Sequence, residues 1–547
     1  MLGLLKFLFH VNFYLVDLRL LSETPLKYIC LALIEVYSVM DINCLPDSLL
    51  LLVFQKLDVK DVVSSSAVSS RWNEICKDQL LWKNLFENDY IKNKSHPTSL
   101  KNSLKIADHA KSWKNEYIRL YYNHPIHNTK ILYQDEIINF EFSHDGSKIC
   151  ACTRDNTLVR WNKENDVHFE LLEELDVGNN FNLEISIAHF SPSGEKILVA
   201  GYNIFYDNTE IIILCSRDES LTILGKLSFS SQVITACWFT NEIFIVAEDN
   251  RTEENFYDES YPSTCYSLTS CMSWKENSRV APLGNVKKLN KFLEYPGAYY
   301  RQCMNGNELS IFSRQQKTPE DENDKMILEK DCVSSTSTIS QQTWAVFSFG
   351  KSDLYANTIG FHQLSLERLK KESLSSITKP DYELDMKGEI VAMSISPDQE
   401  TLFVNVRGTF DTEALEFQSK QNDQKKSDDY FVIKKIHLNT FQDVGHFTFY
   451  KDKEDLPKPG LALPPLYANY LGISKNYIAS VSEDGDVYVW DRNYSILLSK
   501  IKMSDASWCV NFAAFDPKNE EMLLVADSIG LTISYSKNLR AKFTVLV

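Results

Sequence analysis

Strand–turn–strand units that recur at intervals of about 40 residues from residue 130 onward predict a mainly β chain closed into a β-propeller. A short helical module before them adds a small all-α domain and a helical linker. The 547 residues are too many for one ordinary domain, which agrees with a large repeat fold plus a smaller unit.

Composition narrows the function classes. Hydrophobic residues make up 44% and aromatic residues 12%, enough for an extended packed core, and the charged fraction of 24% is that of a soluble globular chain. The net charge of −17 has no long basic stripe set against it, whereas a nucleic-acid surface needs clustered Lys and Arg to displace counterions. A protein partner is the expectation. Twelve cysteines are scattered without paired Cys-x-x-Cys spacing, and Cys150 and Cys152 alternate within a strand-like run, which a zinc site would not use. They read as free, mostly buried thiols of a reducing compartment, cytosol or nucleus, with no metal and no cofactor implied.

Residues 1–39 form an apolar extension. Asp17 and Arg19 interrupt its first run, and no small-x-small cleavage site follows. The second run, Tyr28–Val39, is too short to span a bilayer and carries Glu35. Met40 stands directly before the first recognisable module, so the extension reads as lying upstream of the protein proper. A membrane anchor is the competing reading.

From Met40 to Phe86 the sequence runs MDINCLPDSLLLLVFQKLDVKDVVSSSAVSSRWNEICKDQLLWKNLF. Pro46 suits a first helical turn, and Leu49, Val53 and Leu57 then recur on one helical face, widened by Leu52 and Phe54. A second short helix starts at Val59–Val62. A third, Ser66–Lys77, bears Val68, Trp72 and Ile75, and Leu80-Leu81-Trp82 closes the unit. So short a segment cannot bury this much apolar surface alone, and a partner helix would cover the surplus. The order Leu-Pro, apolar helix, Leu-Asp-x-x-Asp, Val-x-x-x-Trp, Leu-x-Trp resembles the F-box. That resemblance implies docking on the Skp adaptor, which bridges to a cullin–RING core, through Leu45, Pro46, Leu49, Val53, Leu57, Val62, Val68 and Trp72. Within this set Trp72, like Trp82, also reads as a core side chain.

Residues 87–128 read as a linker, polar at first, then helical across Ser112–Asn123 with Trp113, Tyr117 and Leu120 on one face. Such a helix would hold the module against the repeat region.

The stretch 129–547 carries the repeats. Ile137–Asn162 gives an alternating strand, a Ser-x-Asp-Gly turn, a buried strand, an Asp-Asn turn and a strand ending at Trp161. Copies of the first half fall at Ile185–Leu214 and Ile390–Val406, of the second half at Gly472–Arg492, and a further copy at Trp508–Tyr535. These units resemble WD-repeat blades and imply a WD-repeat β-propeller of about seven blades, some degenerate. Asp155 and Asp484 each stand six residues before Trp161 and Trp490, and Asp491 completes a Trp-Asp pair. The resemblance implies structural work for all five, with the turn Asp bonding backbone amides. The last copy has Ile529 where the turn Asp is expected and Tyr535 for the Trp. Strands are expected at Val233–Phe239, Glu308–Ser313, Thr343–Gly350 and Ile359–Leu366 without the signature residues. Two polar insertions, near 317–342 and 417–429, read as disordered loops.

Gly388–Asp398 and Val489–Tyr494 are similar to the F-box/WD-repeat protein 5 family. Membership would imply a non-catalytic substrate receptor of a Skp–cullin–F-box ubiquitin ligase, marking proteins for proteasomal turnover in the cytoplasm, with the nucleus or centrosome as further locations and centrosome duplication as a process. No phosphate loop, His-Glu-x-x-His or Gly-x-Ser-x-Gly element is present. A non-ligase WD-repeat scaffold is the alternative, and so is a receptor joined to another cullin through the damage-specific DNA-binding adaptor. The latter uses Trp-Asp-x-Arg, and here Arg492 follows Asp491 directly. No Arg recurs at one blade position; Arg154, Arg407 and Arg492 lie at or near turns, and the substrate-binding residues remain unassigned.

Overall fold

The computed structural model describes residues 43, 45–92, 105–107, 110–165, 168–203, 205–206, 208–217, 220–229, 232–238, 240–249, 262–270, 287–296, 309–315, 341–349, 357–364, 380–408, 430–448, 471–481, 485–503 and 510–539. The extension 1–39, the insertion 417–429 and nearly all of 317–342 lie outside them. Gln341 and Gln342 instead begin the strand Gln341–Phe349.

Two compact units divide the chain between Tyr117 and Ile118. Among the described residues the first opens with four short α-helices in succession: α1 (Asp47–Phe54), α2 (Val59–Ser66), α3 (Ser70–Ile75) and α4 (Gln79–Phe86). Each start is chemically marked. Pro46 is the N-cap of α1, and Asp58, Ser69 and Asp78 each accept a backbone N–H from the first turn of the next helix. The sequence-based third helix from Ser66 is thus shorter, because the Ser69 cap restarts the chain after Val68. The Leu80-Leu81-Trp82 cluster is part of a fourth helix.

The second unit contains, among the described residues, seven four-stranded antiparallel sheets. Their strands fall within 137–176, 183–229, 232–296, 309–385, 389–448 and 471–502 (blades one to six); blade seven is 510–536 completed by Pro125–Tyr133. The first strands of successive blades touch in an unbroken cycle, from Ile137–Phe142 through Leu183–Phe190 and onward to Val510–Phe515, which touches Ile137–Phe142 again. A propeller thus follows a helical module along the chain, as the repeats predict. The four unsigned central strands are found at Gln232–Trp238, Leu309–Gln315, Gln341–Phe349 and Thr358–Leu364. The first propeller strand begins at Pro125, inside the stretch expected to be linker.

Turn chemistry repeats with the blades. Ser143, Ser191 and Ser396 each donate a backbone N–H to the carbonyl five residues on (2.9, 2.8 and 2.8 Å) and accept that residue's N–H on Oγ (2.9, 3.1 and 3.0 Å). Three residues after each Ser the backbone is left-handed, at Gly146 (φ 64), Gly194 (φ 71) and Gln399 (φ 58). Between second and third strands of blade one, Asp155 accepts the Thr153 hydroxyl and the Thr157 N–H (3.3 Å), while Asn156 takes a φ of 67. Asp484 lies outside the described residues. In blade seven the turn amides of Ile529 and Gly530 are taken at 2.8 and 2.9 Å by Asp527, two positions before the site where the pattern demands an acid.

The Trp residues seal the gaps between blades. Trp161 is buried among Ile137, Phe140, Phe512 and Leu524 of blades one and seven, and Trp490 among Phe403, Ile433 and Leu471 of blades six and five. Asp491 is fully buried and accepts the N–H groups of Asn493 (3.0 Å) and Tyr494 (2.7 Å). It also receives Arg119 at 2.6 Å, whose guanidinium lies 5.4 Å from the Tyr477 ring centre. Arg119 belongs to helix α5 (Trp113–Tyr122), within which the boundary between the two units falls.

Blades one and seven are also joined by a buried ion pair, Lys163 with Asp516, and Asp516 accepts the Lys518 N–H at 2.8 Å as well. Removing one partner strands the other charge without solvent. Asp516→Ala is expected to cost about 3–5 kcal/mol of propeller stability, read as a lower denaturant midpoint with an unchanged slope.

Candidate functional site: an apolar face on the helical module

The module's core is aromatic. Phe54 meets Trp72 edge to face at 5.2 Å, Trp82 meets Tyr117 at 5.5 Å, and Phe86 meets Trp113 at 5.2 Å. The Trp82 indole donates to the Cys76 carbonyl at 2.7 Å, so the largest buried ring has its polar atom satisfied. In α1 the inward residues are Leu50 and Phe54, one helical turn apart.

That registration decides which side of the apolar stripe faces in. Leu49, Val53 and Leu57, expected along one helical face, do not share one helix: α1 stops at Phe54 and Leu57 lies beyond it, while Leu49 points out. Leu49 and Leu52, three residues apart, are 39% and 56% exposed, and Val68 in the turn before α3 is 54% exposed. Val63 and Leu80 are exposed as well, Pro46 too, and Leu45, Val53 and Leu57 are half-buried. Val62 and Trp72 are core residues, Val62 with no exposed surface, so neither offers a side chain to a partner. A module this small leaves that many large apolar groups in water only if something else covers them.

Sequence reasoning overlooked Arg71. From α3 its guanidinium reaches back to donate to the carbonyls of Asn43 and Leu45, each at 2.5 Å, and to Asp47 Oδ1 at 2.8 Å. The Leu45-Pro46 corner is therefore held by a five-donor planar group whose fork matches two carbonyls and a carboxylate at once. The Pro46 carbonyl in turn receives the N–H groups of Leu49 and Leu50 at 3.0 and 3.1 Å, which fixes the start of α1 to the corner. An Arg beside a core Trp gives no periodic signal, so only its three-dimensional reach reveals it.

Other chemistry is not gathered anywhere in the described residues. No group of His, Cys, Asp and Glu there is arranged to hold a metal ion, and no helix there is long and apolar enough to cross a membrane. Cys150 and Cys152 are buried free thiols whose acidity desolvation suppresses. Arg492 is engaged within the propeller, paired with Asp398 at 2.6 Å and stacked 5.5 Å from the Phe403 ring centre. Arg154 is exposed and paired with Glu136 at 2.7 Å.

A four-helix module with an unfinished apolar face is followed in the chain by a seven-bladed ring, and the F-box-like family profile matches residues 42–88, the module itself. The more particular resemblance also holds. The chain is 22% identical to F-box/WD repeat-containing protein 5 of Mus musculus, over 88% of this chain and 91% of that protein, and 21% identical to the Homo sapiens protein of that name, over 88% and 92%. A solved structure, the β-propeller domain of Myceliophteria thermophila Cps50 (Swd1), aligns with a TM-score of 0.42 at 12% identity, covering 75% of this chain and 99% of that one. The fold assignment rests on the sheets themselves.

Arg71→Ala should release the Leu45-Pro46 corner while leaving the aromatic core in place. Hydrogen exchange is expected to speed up about tenfold at the amides of Leu45, Leu49 and Leu50 and to stay unchanged in α4.

Proposed function

We propose that this chain is the substrate-receptor subunit of a Skp–cullin–F-box ubiquitin ligase. The helical module docks the Skp adaptor, and the propeller holds the protein to be ubiquitinated for proteasomal turnover. The observation that carries this reading is the exposure of Leu49, Leu52 and Val68 around a Leu-Pro corner pinned by Arg71. A module sealed by its own side chains would have argued against it. The F-box match and the propeller relatives support the same role.

In this reading the chain recruits and positions, and catalysis belongs to its partners. Its contribution is to hold a substrate lysine close to the charged conjugating enzyme, where effective concentration replaces chance encounter. We place it in the cytoplasm, with centrosome duplication as the process to examine first. The free thiols of Cys76, Cys150, Cys152 and Cys215 fit a reducing compartment.

Capture of the purified Skp adaptor by the full chain is the test. Leu49→Asp with Leu52→Asp puts two charges on the apolar face without touching Leu50 or Phe54, and is expected to weaken capture at least about 100-fold while the melting profile stays put. A wild-type chain that captures no adaptor would leave a WD-repeat scaffold as the better description, and capture that survives the double substitution would move the docking surface away from Leu49 and Leu52.

A further inference from the structure

The second and third strands of blade two form a hairpin whose tip presents two aromatic side chains to water. Strands Lys196–Asn203 and Asn208–Cys215 pair as far as Asn203 with Asn208, and beyond them Phe205 is 74% and Tyr206 72% exposed. Tyr202, at the hairpin's base, is exposed too. The tip is held from inside. Asn203 is buried and accepts the N–H groups of Phe205 and Tyr206 at 3.0 and 3.2 Å, while its amide donates to Glu210 Oε2 at 3.1 Å. Glu210 is itself ion-paired with Lys226 at 2.5 Å. Aromatic rings with few torsions on an anchored turn are good contact residues, because little freedom is lost when they are covered.

The surface around this tip is acidic. In every blade the turn from second to third strand, and the passage from the fourth strand to the next blade's first, lie at one end of the ring, as the antiparallel order requires. At that end of blades one and two stand Asp135, Glu136, Asp155, Glu174, Asp176 and Glu184, with Asp155, Glu174 and Glu184 exposed. Arg154 is among them, paired with Glu136. The two blades are tied together here. Asn156 accepts the Ile185 N–H at 3.0 Å on its side chain and the Val177 N–H at 3.0 Å on its carbonyl, and Glu184 lies opposite Tyr202 in register. Burial, and after it the neighbouring Asp155 and Glu136 charges, raise the Asp135 carboxyl above its ordinary value.

We infer that this end of blades one and two docks a basic segment of a partner protein, with Phe205 and Tyr206 covering an apolar residue and the carboxylates meeting lysines or arginines. The inference deepens the receptor reading by giving the substrate a chemistry, and it rests on that reading for calling the partner a substrate. A phosphorylated motif would bring negative charge to negative charge, and nucleic acid would do the same. Exposed aromatics beside carboxylates fit a cationic chain that carries apolar residues, since Tyr and Phe faces also attract ammonium and guanidinium groups.

The test uses the full chain and three short synthetic peptides followed by fluorescence anisotropy: lysines interrupted by leucine and tryptophan, the same peptide with glutamates for lysines, and lysines with no apolar residue. The first peptide should bind, more weakly as salt rises, and the glutamate peptide should not. Phe205→Ser with Tyr206→Ser is expected to weaken the first peptide at least about tenfold, and Glu174→Lys with Glu184→Lys by a comparable factor. The all-lysine peptide should bind less tightly and lose less than the first peptide does on the aromatic substitutions. First-peptide binding that is indifferent to both double variants, or equal binding of all three peptides, overturns the inference; so would displacement of the first peptide by added wild-type chain with the same dependence on Phe205 and Tyr206, which would make the occupant a second copy. Adaptor capture by the same preparations separates the two ideas. A chain that captures the adaptor but binds no peptide loses only this docking surface, and one that binds peptide through Phe205 and Tyr206 but captures no adaptor loses only the ligase role.

Discussion

Closure of the ring is the constraint on which the propeller depends. The strand Pro125–Tyr133, from the beginning of the second unit, pairs antiparallel with Leu531–Ser536 from its end. Until that pairing forms, blade seven has three strands and an open edge. The join is stitched by more than ladder hydrogen bonds. Tyr133 meets Trp161 edge to face at 5.6 Å, and the Asn511 amide donates to the Ile137 carbonyl at 3.1 Å. At Gly530 the fit is so close that a Cβ would lie 2.0 Å from the Tyr133 carbonyl oxygen, which leaves glycine as the only residue the seam accepts. Such non-local closure delays the reward for ordering the chain, so the blades must be individually well patterned to wait for it.

How far that patterning can be read depends on what each residue does locally. Blade one is legible because Ser143, Asp145, Gly146, Asp155 and Trp161 perform short-range work that ties residue type to position. Asp145 shows the strength of that coupling: burial alone would raise its carboxyl, yet hydrogen bonds donated by Ser143 and Ser147 hold it down to about 2. Blade seven keeps the geometry while moving the acid from the position of Ile529 to Asp527, because an acceptor two residues earlier reaches the same two amides. A position-bound pattern reports such a blade as degenerate, although its turn is capped. Gln399 likewise takes the left-handed conformation that Gly146 and Gly194 take, so the glycine signal disappears and the turn remains. Strand alternation survives these exchanges, which is why the unsigned central strands were still visible.

The helical module was legible in outline, and its phase was not. Its helices and the Leu-Pro corner follow from apolar content and from capping residues. Which face of α1 turns inward does not, because DSLLLLVF is apolar almost all round and periodicity has nothing to select. The choice is made by Trp72 and by the length of the helix. Phe54 packs on the Trp72 ring, Leu50 follows one turn earlier, and Leu49 and Leu52 are left outside. Val62 is drawn into the core by α3, where Cys76 Sγ contacts its carbonyl at 3.5 Å.

The two surfaces proposed for partners differ in chemistry, and the difference fits what each would have to do. An apolar helix face, held in register by Arg71, gains most from complete and lasting burial, since its driving force scales with area removed from water and hardly responds to salt. It suits a subunit that stays in place. The end of blades one and two offers carboxylates and two exposed rings instead. Charge steers encounter from a distance and is screened and hydrated when the partner leaves, so such a surface favours fast arrival and release over permanence. A receptor that turns over its cargo needs that asymmetry: one face that holds and another that lets go.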